Sequence, residues 1–362
     1  MKKCQPGLFF SRLYRKIDHS PISGQIELTY RCGYDCVHCY CKGSEDKARE
    51  LTAQEWKKIL DTIKEEGCLF LTLTGGDPMV REDFLEIYSY ARSQGFLVTV
   101  FTNGYNFTDE IFGHFVKSPP HSIEITFNGI TPETYESITQ VPGSFKKVMR
   151  TIEKLRELKM PLVLKSNCLR QNKHEIAHVK AFVARLFENV PRGKYRFRYD
   201  PMIYPRLNGD KTPLEYRLSF EELEEVRKQD PDIWDEYLRG IRHGMPGLRR
   251  GKEFLYFCNS WMEGFFVNPY GKLKFCNYSN KFSTDLRTGS FKEGFYKTIV
   301  QALDEKFKTD SQCKDCPLRM ICYYCPARAY METGNEEGPV PYYCELAKMT
   351  YERMRPCEDG VV

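Results

Sequence analysis

Residues 30–40 read Tyr-Arg-Cys-Gly-Tyr-Asp-Cys-Val-His-Cys-Tyr, so Cys32, Cys36 and Cys39 follow a Cys-x3-Cys-x2-Cys spacing. They come directly after an alternating apolar run over residues 26–30, and the polar residues between them predict a loop. Close cysteines on a loop are typical ligands of iron–sulfur clusters. Three thiolates leave one iron of a four-iron cubane without a protein ligand. The alternatives at this point are a structural zinc site and chance clustering.

The composition narrows the class of protein. A formal charge of +5, from 54 basic and 49 acidic residues among 362, is too small to predict a nucleic-acid partner. Residues 1–6 carry no apolar core of signal-peptide length, and no apolar run approaches a membrane helix, so we expect a cytoplasmic protein without membrane contact. Fifteen cysteines in a reducing compartment favour metal or cluster binding over disulfides.

Strand-like and helix-like patterns alternate between residues 24 and 201. Thr52 and Glu55 form a capping box that predicts the start of the first helix. Six βα repeats predict a parallel sheet with helices outside it. The predicted strands are residues 25–30, 69–74, 97–102, 122–127, 162–167 and 194–200, and the predicted helices are residues 52–66, 83–94, 108–117, 144–158 and 174–188.

Several of these strands carry polar residues on one face and apolar residues on the other. A helix layer must bury the apolar face, so the polar faces point together into a lumen, whereas a closed eight-stranded barrel has a branched aliphatic core. We therefore predict an α/β fold, an open partial (β/α)6 barrel with a wet, charged interior. The polar sets are Gln25/Glu27/Thr29, Ser122/Glu124/Thr126/Asn128, Lys165/Asn167 and Lys194/Arg196/Arg198.

A second group of cysteines lies in the last third of the chain. Residues 265–275 predict a β-hairpin with its turn at Gly271, which brings the cysteines on either side of it together. A zinc ribbon is one explanation, but seven cysteines exceed one zinc site and two sites need eight. The seven are Cys258, Cys276, Cys313, Cys316, Cys322, Cys325 and Cys344.

The loop at residues 32–39, followed after the second strand by Gly75-Gly76-Asp77-Pro78, resembles the radical S-adenosylmethionine (SAM) enzymes. The resemblance implies that the open iron binds SAM, which is cleaved reductively to a 5′-deoxyadenosyl radical, and that the barrel is open and six-stranded. It also implies that the Gly-Gly-Asp motif holds the methionyl amino group, although Asp77 replaces the commoner Glu.

The same resemblance suggests further contacts at the barrel mouth. Thr126 and Asn128 match the position that hydrogen-bonds the ribose, and Ser166 is a neighbour of the adenine or the carboxylate. Simple turn chemistry is the alternative for the Asn-Gly pairs. The polar alternation of the last strand makes Arg196 and Arg198 candidate catalytic residues that attract a carboxylate of cofactor or substrate. The full set of predicted SAM contacts is Tyr40, Gly75, Gly76, Asp77, Asn103, Thr126, Asn128 and Ser166.

The second cysteine group resembles the SPASM domain, which binds two auxiliary iron–sulfur clusters. The resemblance assigns Cys313, Cys316, Cys322 and Cys344 to auxiliary cluster II. Three cysteines remain for auxiliary cluster I, which therefore has an open iron, a carboxylate ligand or a [2Fe–2S] core, and Cys357 is a further candidate ligand. With the SAM cluster this makes three clusters, expected as [4Fe–4S]. The auxiliary cluster I cysteines are Cys258, Cys276 and Cys325.

Four segments are expected: an N-terminal arm (1–21), the barrel (22–205), a bridge (206–250) and the SPASM domain (251–362). The resemblance implies a ribosomally made precursor peptide as substrate, and flavodoxin or ferredoxin as electron donor. About 24 residues before the first strand are too few for a leader-binding domain, which predicts a separate leader-binding protein or direct recognition by the surface of this chain. Sulfatase maturases, which make formylglycine, carry an aspartate base where this chain has Asn277, so that activity ranks second. A small-molecule dehydrogenase ranks third, and a zinc-stabilised interaction protein is the remote alternative.

Overall fold

The computed structural model describes residues 20–188, 197–230, 251–256, 264–319 and 321–354. Nine strands within these ranges form one sheet in the order β6-β5-β4-β3-β2-β1-β7-β8-β9. The bounds are β1 (Ser23–Thr29), β2 (Phe70–Gly75), β3 (Leu97–Thr102), β4 (Ser122–Thr126), β5 (Leu162–Asn167), β6 (Phe197–Asp200), β7 (Gly264–Val267), β8 (Lys272–Lys274) and β9 (Ser283–Asp285).

Strands β1 to β6 are parallel and follow one another in sequence order, as the open partial barrel predicts. Their apolar faces are fully buried, as Ile26, Leu28, Ile123 and Ile125 illustrate. The opposite faces carry the polar residues toward the lumen, where Gln25 and Lys165 line a cavity. The predicted fold class is therefore confirmed.

The predicted hairpin is present as β7 and β8, with the turn residue Gly271 at φ +83°. The prediction missed that β7 pairs in parallel with β1 and so extends the barrel sheet into the C-terminal region. An unpaired sheet edge leaves backbone donors and acceptors unsatisfied, and β7 covers that edge. Close approach is possible because β1 has glycine opposite Phe265: a Cβ at Gly24 would lie 2.1 Å from the Phe265 ring.

The helices surround the outer face of the sheet and fill the C-terminal region. Thr52 and Glu55 form the predicted capping box. The helices that were not predicted are an eight-residue helix, which starts at the N-cap Thr131 with Pro132 in its first turn, and the three helices after residue 290. The helices are α1 (Ala53–Glu65), α2 (Phe84–Ser93), α3 (Asp109–Lys117), α4 (Pro132–Thr139), α5 (Ser144–Glu157), α6 (Ile176–Leu186), α7 (Phe220–Gln229), α8 (Phe291–Asp304), α9 (Pro326–Thr333) and α10 (Pro341–Met354).

The C-terminal helices pack against the segment that follows β6. Tyr343 of α10 shares a buried cluster with Met202 and Leu218. Arg217 reaches α9 by an ion pair of 2.7 Å with Glu332, and both side chains are almost fully buried. This contact joins the predicted bridge to the predicted SPASM domain, whose boundaries remain predictions. None of the helices in the described ranges has both the length and the apolar character needed to cross a membrane.

Candidate active site

A cavity of about 620 Å³ opens where the strands end and the cysteine loop begins. The three cysteines of the loop line it together with Gly75 and Gly76. Side chains of β3 to β6 form the facing wall, and Asn277 and Tyr278, which follow the hairpin, reach it from the C-terminal region. The C-terminal ends of parallel strands are where barrels of this kind carry their chemistry.

The cysteine loop is held in place by backbone hydrogen bonds to α4. The amides of Asp35 and Val37 donate to the carbonyls of Thr139 and Ile138, each at 3.0 Å. Short helix α4 therefore anchors the loop on which the three thiols lie. Sequence patterning missed this helix because eight residues give too few turns for a clear apolar period.

The three thiols differ in acidity. Burial raises the pKa of Cys32 to about 12, and it raises the pKa of Cys36 well above its usual value. The Cys41 thiol, whose sulfur lies 3.5 Å from that of Cys39, lowers the pKa of Cys39 to about 7. Cys41 is buried and also lines the cavity, although its sequence position gave it no expected role.

Asp77 and Asn103 connect the loop to the strands behind it. The Asp77 carboxylate accepts hydrogen bonds from Met79 N (2.9 Å), Thr102 Oγ1 (2.8 Å) and Asn103 N (3.1 Å). Asn103 in turn donates from Nδ2 to the Cys32 sulfur at 3.1 Å. Asp77 is fully buried and its oxygens serve these internal partners, whereas Asn103 lines the cavity. The predicted contact between Asp77 and SAM stays a prediction, and the geometry adds a positioning role.

The Gly75-Gly76 pair lies where two backbones touch. A Cβ at Gly75 would be 2.0 Å from the Thr29 carbonyl oxygen, and one at Gly76 would be 2.4 Å from the carbonyl oxygens of Tyr30 and Arg31. Gly75 also has φ +140°, which a side chain disfavours. The missing side chains thus let β2 pack directly against the segment that enters the cysteine loop.

Two aromatic side chains flank Cys39. His38 lines the cavity, hydrogen-bonds the Asn167 side chain, and has a pKa that burial lowers to about 4. Its Nδ1 is buried without a partner among the described residues. Tyr40 also lines the cavity and donates from its hydroxyl to Glu27 Oε1 at 2.6 Å. Glu27, which is buried, also accepts a hydrogen bond from the Tyr30 hydroxyl. One carboxylate therefore holds the residues on both sides of the cysteine loop.

The residues predicted at the ribose and the adenine are brought together. Thr126, Asn128 and Ser166 all line the cavity. The Asn128 side-chain oxygen accepts from Ser166 Oγ at 3.3 Å and from Asn167 N at 2.9 Å, which ties the end of β4 to the end of β5. Their contacts with a cofactor stay predictions.

Of the two candidate catalytic arginines, Arg198 lines the cavity and Arg196 lies outside the described residues. Sequence reasoning placed Lys165 on the lumen face without assigning it a role. Lys165 Nζ lies 3.2 Å from the centre of the Phe101 ring, and burial lowers its pKa to about 7. The period-two polarity of β5 was the signal that could have marked it.

Lys274 of β8 shapes the part of the cavity that the C-terminal region supplies. It is buried, and its Nζ donates to the Asn277 carbonyl at 2.8 Å and to Asn280 Oδ1 at 3.2 Å. Tyr278 packs edge-on against Tyr40, with ring centres 5.7 Å apart. The residues after Cys276 are thereby held against the loop that carries Cys39.

A second cavity, of about 430 Å³, lies in the C-terminal region, and the four cysteines assigned to auxiliary cluster II all line it. Among the described residues, no three His, Cys, Asp or Glu side chains converge closely enough to hold a single metal ion. The ligand assignment remains a prediction for Cys313, Cys316, Cys322 and Cys344.

Of the three cysteines assigned to auxiliary cluster I, the described residues include two. Cys276 and Cys325 both lie near the Tyr256 phenol, whose pKa is raised by burial first and then by Glu336 and these two thiols. Cys258 and Cys357 lie outside the described residues, so the open iron site of auxiliary cluster I stays a prediction.

Replacing the four cysteines of the second cavity with alanine should remove one cluster's share of iron and sulfide from the anaerobically reconstituted protein. The physical reason is that no thiol would remain in that cavity to bind iron. Iron and sulfide analysis is the measurement, and Cys68→Ala, a buried cysteine outside both cavities, is the matched control. Zinc without sulfide in the unmodified protein would contradict the cluster assignment.

Comparisons with known proteins agree with this geometry. Residues 26–183 match the model of the Radical SAM superfamily. An AdoMet-dependent heme synthase of Methanosarcina barkeri is 26% identical over 87% of this chain and 94% of its own length. The mycofactocin maturase MftC of Mycolicibacterium smegmatis is 30% identical over 46% of this chain and 42% of its own. The crystal structure of Streptococcus suis SuiB bound to precursor peptide SuiA shares the fold, with a TM-score of 0.69 and 15% identity over 95% of this chain and 82% of SuiB.

The open parallel barrel, the three-cysteine loop at its mouth and the superfamily match define the class: residues 26–183 form a radical SAM domain. The likeness to the fold of SuiB extends along nearly the whole chain and so includes the cysteine-rich C-terminal region. As a radical SAM enzyme this chain uses S-adenosylmethionine and a [4Fe–4S] cluster.

The residues that line the larger cavity are suited to bind S-adenosylmethionine and a [4Fe–4S] cluster. Three thiols of one loop face one cavity, and Asn103 already donates to one of the sulfurs. The buried, unpartnered His38 Nδ1 and the side-chain-free Gly75-Gly76 backbone lie beside them. Cys32, Cys36 and Cys39 would hold the cluster, and the predicted SAM contacts that line the cavity would surround the cofactor. Bound there, SAM supplies the hydrogen-abstracting radical.

Proposed function

We propose that this radical SAM enzyme matures a ribosomally made precursor peptide. The observation that carries the proposal is the likeness to SuiB over 95% of the chain, since SuiB was crystallised with its precursor peptide. The cavity supports it, because Asn277 and Tyr278 bring the C-terminal region to the same space as the cysteine loop. A peptide held between them would present one side chain to the radical.

The proposal includes further components. Two auxiliary clusters are bound by the C-terminal cysteines, a flavodoxin or ferredoxin supplies electrons, and the leader is recognised by a separate protein or by the surface of this chain. The name of a relative supports the peptide, since MftC is named a maturase and its similarity covers 46% of this chain.

The test uses the anaerobically reconstituted enzyme with SAM, a reductant and synthetic peptides encoded by small open reading frames beside its gene. We expect a mass change in one peptide that accompanies the formation of 5′-deoxyadenosine. A variant with Cys32, Cys36 and Cys39 replaced is the matched control for reductant chemistry. Peptides that remain unmodified while another substrate class is consumed would contradict the proposal.

A second candidate is a heme synthase activity. The Methanosarcina barkeri relative aligns over 87% of this chain and 94% of itself, whereas the MftC match covers 46% of this chain. Formation of heme when an iron-containing tetrapyrrole precursor replaces the peptides in this assay would identify this activity. Formylglycine formation ranks lower because Asn277 lines the cavity, and an amide cannot accept the proton that a carboxylate base would take.

A further inference from the structure

Four side chains on neighbouring strands form a charged wall in the lumen, at the level of the strands below the cysteine loop. Lys165 of β5 and Arg198 of β6 are register partners, and both line the cavity. Glu124 of β4 pairs with both: its Oε2 lies 3.9 Å from Lys165 Nζ and also binds the Arg198 guanidinium. The Phe101 ring of β3 lies against both cations. We name Phe101, Glu124, Lys165 and Arg198 the lumen wall.

The lumen wall holds two cations and one carboxylate. Burial lowers the pKa of Lys165 to about 7. The Glu124 carboxylate opposes this shift by favouring the ammonium form, whereas the Arg198 guanidinium repels the ammonium form and adds to the shift. A buried lysine keeps its proton when an anion lies close enough to offset desolvation. One more negative charge would complete the balance. The Arg198 guanidinium, which is half-exposed, can offer a carboxylate two parallel hydrogen bonds.

We propose that Lys165 and Arg198 together bind a carboxylate group of the substrate, with Glu124 holding both cations in place. This deepens the proposed function by naming a chemical feature of the peptide: an acidic side chain or a C-terminal carboxylate next to the residue that is modified. The Phe101 ring excludes water from one side of the pair, which strengthens the attraction. Glu124 is a positioning residue, because it acts through the two cations.

Binding of a carboxylate at this site depends on the protonation of Lys165. The charged groups that act on Lys165 are Glu124 on β4 and Arg198 on β6, and β3 contributes only the uncharged Phe101. A bound carboxylate favours the ammonium form, so above pH 7 the ligand binds together with a proton. Its affinity then falls about tenfold per pH unit, until the pKa of Lys165 in the complex is reached.

The test measures how fast trace acetic anhydride acylates Lys165 in the SAM-loaded holoenzyme, by mass spectrometry, because only the neutral amine reacts. The probes are acetyl-Gly-Asp-Gly-amide, acetyl-Gly-Gly-Gly with a free C-terminus, and the neutral acetyl-Gly-Asn-Gly-amide. A carboxylate that raises the Lys165 pKa from about 7 by one unit lowers the fraction of neutral amine, and with it the labelling rate, about tenfold at pH 6. We expect protection by at least one acidic probe and none by the amide, and the acidic probe that protects identifies the source of the carboxylate. The exposed Lys117 is the internal control.

Three variants separate recognition from a structural effect. Arg198→Gln should weaken the protection of Lys165 by the acidic probe. Glu124→Gln should speed labelling of Lys165 without a probe, because the carboxylate that favours the ammonium form is lost, and a merely structural role of Glu124 would not cause this. It should also weaken the protection by the acidic probe, because Glu124 no longer holds the two cations in place. Glu157→Gln, on the exposed face of α5, should change neither rate.

Equal protection by acidic and neutral probes, or no protection by any probe, would overturn the proposal. Thermal unfolding is the second measurement: the acidic probe should raise the midpoint of the unmodified enzyme but not that of the Lys165→Gln/Arg198→Gln double variant, and equal shifts in both would also overturn it. Neither readout depends on turnover. Selective protection with no peptide ever modified would therefore refute peptide maturation and leave the carboxylate site standing.

Discussion

An enzyme in which Cys32, Cys36 and Cys39 are all replaced by alanine will form no more 5′-deoxyadenosine than a mixture without enzyme. The three thiols are the cysteines of the loop that Asp35 and Val37 anchor to α4, and all three line the larger cavity. Removing them leaves Cys41 as the one thiol among the residues that line this cavity. We expect the loss to be complete, because a single thiol cannot hold the cluster that binds SAM.

The measurement is chromatographic detection of 5′-deoxyadenosine after reduction under anaerobic conditions, with iron and sulfide analysis of the same samples. Cys68→Ala is the matched control, because Cys68 is buried beside β2 and its sulfur contacts only the Phe70 carbonyl at 3.5 Å among the contacts described. The triple variant should lose one cluster and keep the iron of the C-terminal region. Formation of 5′-deoxyadenosine at the control rate would show that another site cleaves SAM.

Much of the fold could be predicted because the barrel strands obey a local rule. Alternation of polar and apolar residues places each strand within a few residues of its observed bounds, and the same alternation assigns Ile26 to the core and Gln25 to the lumen. The pairing of β7 with β1 could not be predicted, because it joins residues more than 200 positions apart and its only trace is glycine opposite Phe265.

Of the candidate active site, too, one part could be predicted from the sequence and another part could not. Spacing alone selected the cysteines, since ligands of one cluster must lie close together on a loop. The internal role of Asp77 and the link from Asn103 to Cys32 depend on how two strand ends meet, which sequence does not record. The acidity of Lys165 likewise depends on the partners that neighbouring strands bring to it, one carboxylate and one guanidinium.

Gly75→Ala should have the largest effect on stability of any single substitution considered, and it should also abolish formation of 5′-deoxyadenosine. A side chain at φ +140° costs about 1–2 kcal/mol. Its Cβ would also lie 2.0 Å from the Thr29 carbonyl oxygen, a backbone atom that cannot rotate away. The same oxygen accepts a hydrogen bond from the Gly76 amide at 2.8 Å, so relief of the clash breaks that bond. With the cost of overpacking added, we expect the substitution to lower the free energy of unfolding by about 2–5 kcal/mol in total.

The Gly95→Ala variant separates the backbone cost of a positive φ from the cost of the steric clash. Gly95 has φ +92° at the end of α2, and a Cβ there would meet no heavy atom within 4 Å, so this variant carries the backbone cost without the clash. We expect it to lower the thermal midpoint by a few degrees and to keep SAM cleavage. Gly75→Ala should lower the midpoint by roughly twice as much or more, since each kcal/mol corresponds to about 2–4 °C in a domain of this size. Thr29 lies three residues before Cys32, so displacement of its carbonyl moves the start of the cysteine loop. Equal midpoints for the two variants, with cleavage intact in both, would show that the contact between Gly75 and Thr29 does not position that loop.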